Sequence, residues 1–344
     1  MKGVPTFEKA STQELDDVLT TMRAKHFIPA YLQPAERKLI FRTKHKQFLA
    51  DNPQTATIDG EDVPLVWMDR RWEIQNRFEL TRQAVTLMGN GEPKDWQNLP
   101  NLMIGEKHCR RGKEIKEPVL EFVVRRAVAA GQMGVLFRCL QQSRATGLSI
   151  KGRPHLTRMI VAGIHETASS ANWSEEATSR ALAEARQLSL LLESDEHGSG
   201  RKLERDDPRR DPSIIGVFLS LAAAHAHMHS TPASTATDKE TVKAYVVRLL
   251  STIGEQTQPR SYSPPKLGPV WEMLEGVPIW HGLGLAQKVL GAELSGNDAR
   301  AAERIVADYG AGLSNLAATL EAGEPKEGSH SERALKVWRD CQNV

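Results

Sequence analysis

The sequence has little cysteine. Three residues, Cys109, Cys139 and Cys341, are spread over 344 positions with no CxxC pair. That spacing excludes a disulfide framework and points to a reducing compartment. No apolar run approaches the length needed to cross a bilayer. The opening residues, MKGVPTFEKASTQELDD, are acidic and lack an apolar centre, unlike a secretory signal or an Arg-rich transit peptide. No alternation of strand and helix patterns runs along the chain, which excludes Rossmann and TIM-barrel architectures. No excess of one charge sign dominates either. The formal net charge is +2, which by itself gives no case for nucleic acid.

Catalytic signatures are also missing. The glycine runs at 89–91 and 198–200 are not followed by Lys-Ser/Thr and link no strand to a helix, so neither is a phosphate loop. Ser143, Ser169 and Ser261 lie in no GxSxG elbow. His225, His227 and His229 put two imidazoles at i and i+4, a spacing that suits zinc. They lack the HExxH glutamate and fall at a helix end, where histidines suit the helix dipole, so the reading is structural. Cys109 beside Arg110 and Arg111 resembles an activated thiol, but no base is patterned around it. The expectation is therefore no enzyme, no metal, no cofactor and no small-molecule substrate.

What is present is helical periodicity. Hydrophobic residues make up 40% and charged residues 26%, the balance of a globular chain. Residues 118–152, PVLEFVVRRAVAAGQMGVLFRCLQQSRATGLSIKG, read as two helices and a tight turn. Leu120, Val123, Val124 and Val128 form one apolar face, and Val135, Leu136, Cys139 and Leu140 form the other. Gly131 ends the first helix and Gly147 the second. A pair this short needs neighbours to bury its faces, which is the logic of a helical array.

This unit resembles a degenerate pentatricopeptide repeat. Ala130-Gly131-Gln132 stands at that family's Ala-Gly-Arg turn, and Thr146-Gly147-Leu148 at its Lys-Gly-Ile close. Phe122 occupies the position where nucleotide-reading members carry a small polar residue, and Leu136 stands where a small Ala is usual. The resemblance extends in outline to the helical-repeat proteins of fungal mitochondria. It implies a structural component of the mitochondrial ribosome, with the large subunit slightly favoured, docked on rRNA and ribosomal proteins in the matrix. The alternatives are a pentatricopeptide-like RNA-binding expression factor and a protein-only assembly scaffold.

The expected fold is all-α: an α–α superhelix with an irregular basic N-terminal segment. Residues 1–68 form the basic helical segment and an extended arm, 69–260 the repeat array, and 261–344 a C-terminal helical region. Residues 194–212 read as a mobile polar loop, and the Pro-rich stretch 254–271 as a linker or strap. Pro29 and Pro34 should break the chain before one basic helix over 35–50. Thr55, Thr57 and Ile58 before Asp59-Gly60 suggest a hairpin or an arm, and helical patterning resumes at Asp69. Later helices are expected over 154–169, 174–193, 213–228, 239–253, 279–290 and 298–321.

The functional signal is charge distribution. Residues 22–48 hold seven Lys and Arg against Glu36 alone. Arg37, Lys38, Arg42, Lys44 and Lys46 are the candidate RNA contacts, with Phe41 as a stacking platform. A second basic knot, Lys107, Arg110, Arg111 and Lys113, is added to them. The seven tryptophans read mostly as packing anchors between helices.

Overall fold

The computed structural model describes residues 3–200, 203, 207–255 and 268–344. It is all-α apart from one two-stranded hairpin among the described residues. The chain divides into two compact units, Met1–Ser149 and Ile150–Val344. That division falls inside the stretch expected to form one array, and not near residue 68 or 260.

Unit one begins with α1, Gln13–Met22, capped by the Thr12 side chain. The helix does not stop at Pro29. It passes through a π-turn, Arg23–Phe27, into α2, Ile28–Tyr31. The wider turn accommodates a residue that has no N–H and whose ring would collide with an α-helical carbonyl. Then follow α3, Pro34–Phe41, and α4, Lys46–Asp51. β1, Gln54–Ile58, pairs antiparallel with β2, Glu61–Leu65, through Asp59-Gly60, both at positive φ. This is the Asp-Gly turn whose twist suits a two-residue hairpin. Helix resumes only at α5, Arg77–Asn90, and not at Asp69, because Asn76 supplies the N-cap. α6, Leu99–Cys109, packs against the π-turn.

The expected repeat unit is present as α7, Glu117–Ala129, and α8, Met133–Gln141, closed by the short α9, Ser143–Thr146. Gly131 adopts φ +65° in the turn between α7 and α8, a conformation costly for any side chain with a Cβ. Leu120, Val123, Val124, Leu136 and Leu140 are fully buried.

Unit two contains α10, Pro154–Ser169; α11, Glu175–Glu193; α12, Pro212–Met228; α13, Thr235–Glu255; α14, Gly268–Leu290; α15, Gly296–Ala322; and α16, His330–Gln342. The most apolar helix, α12, lies at the centre and packs on α10, α11, α13 and α14. α14 starts well before Ile279 and carries Pro278 inside it. Packing of α14 against α12, α15 and α16 outweighs the roughly 3 kcal/mol that an interior proline costs. Its backbone runs against α12: a Cβ at Gly282 would lie 2.8 Å from the Ser220 amide nitrogen. Arg158 grips Asp211 through two nitrogens at 2.8 Å and Glu275 at 3.1 Å, which ties α10 to the start of α12 and to α14.

The described part of 194–212 is packed. His197, Asp207 and Asp211 are buried, and Arg209 holds Asp207. Charged residues that lack apolar burial are ordered here by one another. Positions 201–202 and 204–206 of that stretch, and 256–267 of the linker, lie outside the described residues.

Candidate nucleic-acid interface

The basic segment is two helices. Gln33 and Glu36 form a capping box at the start of α3, with Pro34 at its first turn. Arg42 is extended and ends it, so α4 begins anew. The expected single helix over 35–50 is thus broken. Both pieces are held by a small core of Leu32, Ile40, Leu49, Ala56 and Leu65, with Leu39, Phe41, Ile58, Trp67 and Met68 packed around it. The hairpin exists to complete this core, since α3 and α4 are too short to bury their apolar faces alone.

The same packing turns the charges outward. Lys38, Arg42, Lys44 and Lys46 are exposed, and Arg37 is half-buried. Among the described residues, Arg37, Lys38, Arg42 and Lys44 form no ion pair. Lys46 sits 4.6 Å over the Trp67 ring. Phe41 is not the free platform expected, because the Arg70 guanidinium lies 4.1 Å over its ring. Among the described residues two aromatics are exposed here, Trp72, 79% accessible with Arg71 at 5.1 Å, and Phe48 on α4, 46% accessible. The sequence reading takes the tryptophans mostly as packing anchors and does not single out Trp72; its flanking Arg70 and Arg71 are the available signal.

The second knot separates into two kinds of residue. Arg111 and Lys113 are exposed. Lys107 reaches back to the carbonyls of Ser143 and Arg144, helping to close the repeat, and burial lowers its pKa. Arg110 faces Glu106, which is buried and also takes Arg77 and a hydrogen bond from Thr81. Lys107 and Arg110 are therefore structural cations, not free ones. Cys109 is no activated thiol: burial pushes it up to about 11, against the opposing pull of Arg77 and Arg110. Phe122 fills the would-be reading position with a ring flanked by Arg82 at 5.3 Å and Arg125 at 5.8 Å.

The histidine run closes α12, with His229 at its C-cap. His229 Nε2 bonds the Trp173 carbonyl at 2.8 Å, and His225 faces Asp238 at 4.0 Å. A different group converges inside unit two. His165 Nε2 meets Ser220 Oγ at 3.0 Å, and Ser220 Oγ meets His281 Nδ1 at 2.8 Å. Burial holds both imidazoles neutral, His165 down to about 3 and His281 well below its ordinary value. Cys341, on α16, is buried beside them. Sequence spacing gave no hint of this group, because its members come from four helices.

Comparison with known proteins adds two findings. A family model described as Mrp13, mitochondrial ribosomal protein mS27, matches residues 1–340. The small ribosomal subunit protein mS27 of Neurospora crassa is 28% identical over 238 residues. That alignment covers 67% of this chain and 59% of the Neurospora protein.

Proposed function

The chain belongs to the mitochondrial ribosomal protein mS27 family, and from that membership we propose that it is a structural, non-catalytic component of the mitochondrial ribosome, seated in the small subunit. The match over nearly the whole chain carries the reading. The Neurospora relative is named as a small-subunit protein, so the small subunit replaces the large one favoured from the sequence. The working compartment is the mitochondrial matrix.

In this reading unit one docks on rRNA. Lys38, Arg42, Lys44 and Lys46 meet phosphates, and Arg111 and Lys113 add a second contact. Exposed cations on short helices, held by their own small core, supply sequence-independent attraction without reading bases. Phe122, large and already engaged by two arginines, argues against base-by-base recognition. The remaining surface meets neighbouring ribosomal proteins.

The test is sedimentation of mitochondrial lysate on a sucrose gradient at low and high salt. Co-migration with the small subunit at both salts is expected. Migration with the large subunit, with a membrane complex or as free protein would overturn the proposal.

A further inference from the structure

The buried group in unit two includes none of the exposed cations of unit one. One ring nitrogen each of His165 and His281, and Cys341 Sγ, all lie within 4.8 Å of one another. The three residues come from α10, α14 and α16, and each is at most 4% exposed. Two imidazoles and a thiol form a donor set suited to thiophilic metals.

A second observation is independent of that proximity. His281 engages Ser220 through Nδ1, while its Nε2 is buried with no hydrogen-bond partner. Leaving such a polar atom buried without a partner is unfavourable, because it has given up its bond to water. An imidazole bonded to an oxygen on one side, with a bare nitrogen on the other, is how metal-ligating histidines are held, because the outer bond fixes tautomer and ring direction. Two features hold the site rigid. The Gly282 approach brings the α14 backbone onto Ser220, and Trp173 stacks on His281 at 4.5 Å.

We propose that His165, His281 and Cys341 bind one d10 thiophilic cation, Zn2+ or Cu+, which pins α16 to α10 and α14. On loading, the Cys341 S–H bond is replaced by a sulfur–metal bond and the proton leaves to solvent. No oxidation state changes. With two neutral imidazoles and one thiolate, Cu+ gives an uncharged site that is complete at three ligands. Zn2+ leaves one positive charge and takes a fourth ligand, such as water.

The test is metal analysis of the full chain, purified and exchanged into metal-free buffer, with zinc and copper measured separately. Apoprotein is then titrated with Zn2+, with Co2+ as a spectroscopic stand-in, and with Cu+ under reducing conditions. One ion per chain is expected, together with a thiolate-to-cobalt charge-transfer band if the site takes Zn2+. Binding should vanish in Cys341→Ser and His281→Gln and persist in Cys109→Ser. Circular dichroism checks that the variants remain helical. If they do not fold, the wild type decides: chelation should lower its melting temperature and the added ion restore it. Metal-free protein that takes up none of these ions, or metal retained in Cys341→Ser, would overturn the proposal.

Discussion

The Met68 amide donates to the Ile40 carbonyl across 2.8 Å, joining the exit of the hairpin to the basic helix α3. Ile40 is itself 2% exposed in the small core beneath. The geometry of the exposed cations thus depends on an apolar residue that touches no partner. Ile40→Ala should cost about 2–5 kcal/mol locally. Hydrogen exchange over 54–68 should accelerate, and RNA affinity should fall although no charge is removed. Unchanged exchange in that segment would show that the core does not order the surface.

Charge substitution tests the surface directly. Replacing Lys38, Arg42, Lys44 and Lys46 with Gln should weaken binding to many RNA sequences alike. The slope of log affinity against log salt should shrink by about 1 for each phosphate no longer neutralised. Lys107→Gln provides the contrast, since Lys107 is spent on the Ser143 and Arg144 carbonyls. It should lower stability and leave the salt slope unchanged. Filter binding across a salt series separates the two.

Helices were legible wherever an apolar face repeats at helical spacing. The α7–α8 pair, with Gly131 at positive φ, and α10 over 154–169 stand where periodicity places them. Prolines misled, because context decides what one does. Pro34 starts a helix, Pro29 follows a π-turn, and Pro278 lies inside α14, whose packing against α12 outweighs its cost. The basic segment was legible as composition, but not the division of its charges. Nothing local in Lys107 or Arg110 says that each turns inward, because their partners lie in the fold. The cluster of His165, His281 and Cys341 was illegible for the same reason. It depends on which helices meet.

Histidines of unit one give a pH dependence. Burial, helped by Arg77, lowers the pKa of His26, and burial lowers that of His108, which stacks on Tyr31 at 3.6 Å. Below the ordinary value of about 6.5 the unfolded chain binds protons that the folded chain refuses. Stability is therefore full above that pH and lost as pH falls toward the lower folded values. The melting temperature should drop between pH 7.5 and 5.5. His26→Gln with His108→Gln should reduce that drop, and an unaltered drop would place the titrating groups elsewhere.

Arg158 is a partly buried cation, its side chain 15% exposed, with two acidic partners. Arg158→Leu leaves Asp211 5% exposed without that ion pair, and breaking such a pair from one side costs about 3–5 kcal/mol. Asp211 also caps α12 through the Ser213 amide, so the start of that helix should fray. Denaturant unfolding should show the loss. A variant within about 0.5 kcal/mol of wild type would mean that Asp211 finds other compensation.

Two glycines in α14 make a controlled comparison. A Cβ at Gly282 would meet the α12 backbone at the Ser220 nitrogen, 2.8 Å away, and a main chain inside a packed helix pair has little room to retreat. A Cβ at Gly284, two residues on, would meet nothing within 4 Å. Alanine improves helix propensity at both sites by up to about 1 kcal/mol. At Gly284 that gain stands alone, so Gly284→Ala should raise the melting temperature. At Gly282 overpacking opposes it by about 1–3 kcal/mol, so Gly282→Ala should lower the melting temperature. The opposite signs separate close approach from propensity. Equal stabilisation by both variants would mean that α12 and α14 sit farther apart in solution than this packing requires.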